Sequence, residues 1–170
     1  MDTFFEQIIS IRKNGKAVAG ILGVWLAAFL LSFLLFIFSG YIGSFFVLLI
    51  AGIIYGAIKL TGLFNIEYEY IITNGTMDID KIVNKSSRKR MLSFELSGVS
   101  RLEKFAPHCL NNIDVKKVVF ASDTADENAY FMVSEKEGAK TSYLVFSPND
   151  KIKSAIVKYI PKFISNSAFK

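Results

Sequence analysis

The sequence predicts an α+β chain: a transmembrane α-helical hairpin followed by an antiparallel β-barrel or sandwich of about seven strands, capped by a C-terminal helix. Three observations carry that prediction. From Ala17 to Ile58, 42 residues pass without a Lys, Arg, Asp, Glu or His; Asn74-Gly75 separates two alternating runs; and Ser147-Pro148-Asn149-Asp150 precedes apolar residues at helical spacing. The chain has 170 residues, 52% of them hydrophobic, and a mean hydropathy of +0.38. That exceeds what a soluble domain of this length needs, and the length excludes a large multidomain enzyme. One Cys and one His exclude a disulfide framework and any zinc site built from several thiolates or imidazoles of one chain.

Residues 1–16 form an N-terminal segment. Phe4, Phe5, Ile8, Ile9 and Ile11, set among Asp2, Glu6, Arg12 and Lys13, have a spacing that gathers apolar side chains on one helical face. Two readings fit: a short helix lying in the membrane interface, or an extension of the first span into the headgroup layer.

Residues 17–62 form the hairpin. Ser39-Gly40 divides the uncharged run into Ala17–Phe38 and Tyr41–Ile58, helices of roughly 33 and 27 Å for a hydrocarbon layer of about 30 Å. Lipid supplies no hydrogen-bond partners, so two helices joined by a tight turn satisfy the backbone internally. A cleaved leader fits less well, because its apolar region is only about 7 to 15 residues long and here a second apolar segment follows at once. Arg12, Lys13 and Lys16 precede the first span, Lys59 follows the second, and the turn between them is uncharged. The positive-inside rule therefore predicts a multi-pass protein of the cell membrane with both termini cytoplasmic. Gly20 and Gly23 on the first span, and Gly52 and Gly56 on the second, make smooth tracks that suit packing of the hairpin on itself or homo-oligomerisation. With no charge inside the spans, a proton relay or ion pathway has no residues to run on.

Residues 63–170 form the cytoplasmic part, long enough for its own core. Tyr68, Tyr70 and Ile72 alternate with Glu67, Glu69 and Thr73, and beyond Asn74-Gly75 Met77 and Ile79 alternate with Thr76, Asp78 and Asp80. A two-residue turn then sets Ile72 against Met77 and Tyr70 against Ile79 on one face. Further strands are expected at Arg90–Leu96, Val99–Leu102, Lys117–Ala121, Ala129–Val133 and Tyr143–Phe146, with loops at 123–128 and 135–140. Ser147 is the expected N-cap of a helix carrying Ile152, Ile156, Tyr159 and Ile160, which Pro161 ends.

Seven short strands followed by one amphipathic helix resemble the pleckstrin-homology (PH) fold. More closely, the chain resembles a family of small Gram-positive bacterial two-span membrane proteins with a domain of unknown function, PH-like and cytoplasmic. The resemblance runs nearly end to end, through Phe4-Phe5-Glu6-Gln7-Ile8, Ile54-Tyr55-Gly56, Glu67-Tyr68-Glu69-Tyr70, Thr73-Asn74-Gly75, Asp78-Ile79-Asp80-Lys81-Ile82, Arg88-Lys89-Arg90 and Ile160-Pro161. It implies a fold and no activity.

Chemistry is sparse. Lys81, Lys85, Arg88, Lys89 and Arg90 place five positive charges in ten residues; they read either as contacts to anionic headgroups or a partner, at about 1 kcal/mol each near an acidic leaflet, or as a solvated face pairing with nearby acids. Residues 63–170 carry 16 basic and 13 acidic residues, too small an excess for nucleic acid. Glu67, Glu69, Asp78 and Asp80 share the outer face of the first hairpin, where a cation must compensate them: a Lys or Arg, or a metal. His108 and Cys109 are adjacent; an extended strand would point them to opposite faces, and they read as structural. No nucleophile elbow, phosphate loop or dinucleotide fingerprint occurs. The expectation is a non-enzymatic membrane protein, without cofactor or metal, presenting a PH-like module to membrane lipids and a membrane-associated protein partner; the alternative is a structural or regulatory subunit assembling through the hairpin.

Overall fold

The computed structural model describes residues 3–123, 126–135, 141–166 and 168–169. The chain divides into two units, one of Arg12–Ile66 with Val83–Ser86, the other of Met1–Ile11, Glu67–Ile82 and Ser87–Lys170.

The first unit is helical. Asn14 caps α1 (Gly15–Ile37), its side chain accepting from the Ala17 N–H at 2.8 Å. A single turn, α2 (Ser39–Ile42), leads to α3 (Phe45–Gly62). The reversal therefore lies not at Ser39-Gly40 but at Gly43-Ser44, where Gly43 has φ +60°, a conformation open to a residue without a β-carbon. Consequently α3 starts later than expected and runs past Lys59. Phe36 meets Phe46 at one end, 6.3 Å between ring centres, and Gly20 lies against Phe64 at the other, so α1 and α3 run antiparallel. Ala28 and Ala57 are the buried residues of the pair. With 23 and 18 residues, the helices are about 35 and 27 Å long.

The second unit is β-rich. Its strands are β1 (Phe4–Ser10), β2 (Ile66–Thr73), β3 (Thr76–Val83), β4 (Ser87–Glu95), β5 (Val99–Lys104), β6 (Val118–Phe120), β7 (Tyr130–Ser134) and β8 (Ser142–Phe146). They form two four-stranded sheets, ordered β1-β2-β3-β4 and β5-β7-β8-β6. The seven expected strands are present, and Asn74 (φ 49°) and Gly75 (φ 87°) make the two-residue turn between β2 and β3. The expectation of an all-antiparallel arrangement is corrected at β6, which runs parallel to β8. The loop expected at 135–140 falls, beyond Glu135, outside the described residues, as do residues 124 and 125 of the other.

The helical reading of the N-terminal segment is also corrected. Residues 4–10 are an eighth strand, paired antiparallel with β2 from Phe4↔Thr73 to Ser10↔Glu67. Apolar residues at 4, 5, 8 and 9 fit a helical stripe, yet the strand's period of two sends Phe5, Gln7 and Ile9 one way and Phe4, Glu6 and Ile8 the other. Phe5 and Ile9 pack on the core. Gln7 donates to the Ser147 carbonyl at 3.0 Å and accepts from the Asn149 N–H at 2.8 Å. The ladder satisfies a row of β2 backbone groups that a helix at 4–10 would leave unpaired.

Both sheets share one core, with Tyr70, Ile72, Met77 and Ile79 facing Met132, Leu144 and Phe146, and Ile152, Ala155 and Ile156 of α4 (Asp150–Tyr159). Asn149 and not Ser147 caps α4, accepting from the Ile152 N–H at 2.9 Å. Pro161 ends it as expected, before a last turn, α5 (Lys162–Ser165). A smaller core of Cys109, Val118, Phe131, Val133 and Val145 lies on the other face of the second sheet.

Tyr70 ties these layers together. Fully buried, it donates its hydroxyl to the Ala121 carbonyl at 2.5 Å and accepts from the Ser147 N–H at 3.1 Å. Tyr70→Phe orphans both backbone groups, so a loss of about 1–3 kcal/mol is expected in chemical denaturation of the full chain in detergent; an unchanged midpoint contradicts the role assigned to the hydroxyl.

Candidate functional site

The five-cation cluster is divided by the fold. Lys81 lies on β3, Lys85 in the β3–β4 turn, and Arg88, Lys89 and Arg90 on β4. The two arginines turn inward on the chain's own carboxylates: Arg88 Nη2 is 2.9 Å from Glu69 Oε1, Arg90 Nη1 is 2.8 Å from Asp78 Oδ2, and Arg90 Nε pairs with Asp80. Of the two compensations open to the outer-face carboxylates, the structure shows arginine. Glu67 accepts instead from the Ser10 hydroxyl at 3.1 Å. Lys81, Lys85 and Lys89 form no ion pair among the described residues.

Compensation is incomplete. Glu69 and Asp80 are buried, at 1% and 3% exposure, while Glu69 Oε2 and Asp78 Oδ1 find no hydrogen-bond donor among the described residues. Desolvation and the neighbouring carboxyl of Glu6 raise the Glu69 pKa, against the pull of Arg88. Hydrogen bonding to Asp80 and the two aspartate charges raise the Arg90 pKa.

Within the helical unit, the β3–β4 turn belongs with the end of α3. Asn84 (φ 52°) and Lys85 (φ 55°) form it, the Asn84 N–H donates to the Asn65 carbonyl at 2.8 Å, and a β-carbon on Gly62 would lie 2.7 Å from the Asn84 side chain. Lys16 sits in the first turn of α1 and Lys59 in the last turn of α3, at the same end of an antiparallel pair. This unit thus collects Arg12, Lys13, Lys16, Lys59 and Lys85 and contains no Asp or Glu. Lys85 joins this set only through the turn's docking on Asn65, a long-range contact without a signature in residue order.

The four glycines differ. At Gly20 a β-carbon would meet the Phe64 ring at 2.7 Å; at Gly23, Gly52 and Gly56 it would meet nothing within 4 Å. Close approach of α1 and α3 rests on Ala28 and Ala57, beside an apolar cleft of about 230 Å³ lined by Val24, Leu31, Ile53 and Gly56 among others.

His108 and Cys109 are not on a strand. Both lie in a 3₁₀ turn, Pro107–Leu110. Cys109 Sγ, buried, donates to Glu103 Oε1 at 3.0 Å and accepts from the Ala106 N–H at 3.4 Å. One ligand atom from each of Glu103, His108 and Cys109 lies within 4.8 Å of the others. Burial and Glu103 push the thiol pKa up.

The structure therefore defines an α+β, PH-like module of two sheets and a C-terminal helix, with a pair of helices each long and apolar enough to cross a membrane. Residues 1–166 match the family described as "Bacterial PH-like domain (DUF6106)", and the chain belongs to that family. No curated protein and no solved structure matches it.

The raised Glu69 pKa sets a pH dependence. The folded chain holds that proton more tightly than the unfolded one, so its contribution favours folding in acid and fades as pH climbs above the ordinary carboxylate value near 4.5. Glu69→Gln is expected to raise stability at neutral pH and to flatten that dependence, read by near-ultraviolet tyrosine ellipticity during thermal unfolding; a variant less stable at neutral pH contradicts this sign.

Proposed function

We propose that this chain is a non-enzymatic integral membrane protein whose helical hairpin holds a PH-like binding module at the cytoplasmic face, for anionic lipid headgroups and a membrane-associated protein partner. The observation that carries the reading is the charge pattern of the helical unit: five cations and no carboxylate, with the uncharged run between Lys16 and Lys59. An uncharged middle suits acyl chains, and cations gathered at one end suit the anionic headgroups of the inner leaflet. The β1–β2 ladder supports an even number of crossings. Strands that neighbour each other at about 4.8 Å lie on one side of a bilayer, so the chain leaving Ser10 and returning at Ile66 crosses twice or not at all.

With Arg88 and Arg90 engaged by Glu69, Asp78 and Asp80, headgroup contact passes to Lys85 with Arg12, Lys13, Lys16 and Lys59, and Lys81 and Lys89 remain for a partner. Confinement to the membrane raises the module's effective concentration toward other membrane proteins, so a shallow surface suffices. Assembly as a subunit through the hairpin is a second reading, favoured by the open space at Gly23, Gly52 and Gly56.

Topology is tested in right-side-out membrane vesicles with a membrane-impermeant maleimide, on a Cys109→Ser background. Ser44→Cys, at the exposed helix reversal, is expected to label and Lys162→Cys, exposed beyond α4, to remain unlabelled; the converse pattern, or labelling of both, overturns the proposal. Exchanging Lys16, Lys59 and Lys85 for Gln is expected to reduce retention of anionic over zwitterionic lipid, by about 1 kcal/mol per cation at most, and unchanged lipid retention removes headgroups from the proposal.

A further inference from the structure

The geometry points to a zinc-class divalent metal site formed by Glu103, His108 and Cys109, independent of the membrane reading. Its ligands come from two neighbouring segments. Strand β5 pairs with β7 so that Arg101 opposes Val133 and Glu103 opposes Phe131, which sets both charged side chains on the face of the smaller core. The segment after β5 folds back over that face, the Phe105 N–H bonding the Ala129 carbonyl at 2.8 Å, and its 3₁₀ turn delivers Cys109 from above.

Three features make this more than a buried thiol beside a carboxylate. The set is mixed, one sulfur, one imidazole and one carboxylate, the combination that suits zinc and its borderline neighbours and not calcium or magnesium. Tetrahedral zinc holds such ligand atoms roughly 3.3–3.6 Å apart. The Cys109–Glu103 separation is already 3.0 Å, and His108, exposed, can rotate to close the remainder. Finally, the sulfur has an outer support: the Ala106 N–H points at Sγ, as donors do to metal-bound thiolates. Arg101 Nη2, 2.5 Å from Glu103 Oε1 and stacked 5.7 Å from the Phe131 ring centre, holds the carboxylate in place.

On binding, the S–H bond of Cys109 breaks, a sulfur–metal bond forms, and the proton passes to water. Glu103 loses the thiol's hydrogen bond and gains the metal. Three protein ligands leave a fourth position for water or for a donor from a partner.

The test uses the full chain in detergent with Co²⁺ and Zn²⁺ as probes. A near-ultraviolet thiolate-to-cobalt charge-transfer band with tetrahedral visible bands is expected, displaced by Zn²⁺. Cys109→Ser should abolish the charge-transfer band, and His108→Asn, at an exposed position that leaves the fold intact, should weaken Zn²⁺ binding at least about tenfold. Absence of the band, a Kd no tighter than about 1 mM, or undiminished affinity in His108→Asn overturns the site. Near-ultraviolet ellipticity matching the unsubstituted chain is the control that separates ligand loss from misfolding.

Discussion

The pairing of β1 with β2 is the constraint on which the rest of the structure depends. Two strands held side by side from Phe4↔Thr73 to Ser10↔Glu67 are separated in sequence by the whole apolar excursion. Whatever residues 11–65 do, they must bring the chain back to where it left. Two antiparallel helices meet that requirement with nearly all their backbone groups bonded internally. The apolar hairpin is thus an insertion between adjacent strands of a PH-like sheet, not an anchor attached ahead of a finished domain, and the β-rich unit is completed by residues on both sides of it.

Gln7 shows how closely β1 is integrated. It faces the core between Phe5 and Ile9, and its carboxamide serves the Ser147 carbonyl and the Asn149 N–H, groups at the entrance to α4. Tyr70, its partner in the β1–β2 register, reaches the same stretch through the Ser147 N–H. Two polar side chains opposite each other thereby satisfy the chain where it passes from β8 into the closing helix. An apolar residue at Tyr70 would leave the buried Ser147 N–H and Ala121 carbonyl without that partner.

Electrostatics divides into two regimes. On the outer face of the first sheet, carboxylates exceed arginines, and burial raises the Glu69 pKa against the pull of Arg88. In the helical unit there are cations alone. The first pattern consumes its charges internally and leaves little for a ligand. The second leaves its charges exposed. A run of five cations in the sequence conceals this division, because pairing depends on which strand each residue joins and which way it faces.

Residue order by itself determined the period-two strands β2 to β8, the Asn74-Gly75 turn, the amphipathic C-terminal helix with its stop at Pro161, and the uncharged stretch that yields two long apolar helices. Each is a local property, written in spacing or in turn chemistry within a few residues. Tertiary structure alone decided β1, since the spacing of Phe4, Phe5, Ile8 and Ile9 serves a helix equally well and only the open edge of β2 selects the strand. It decided as well the inward turn of Arg88 and Arg90, the docking of Lys85 against Asn65, and the meeting of Glu103 with His108 and Cys109. These depend on contacts between segments well apart in sequence or on a 3₁₀ turn that no local pattern announces, and short-range spacing carries no information about which distant group will supply the missing hydrogen bond or charge.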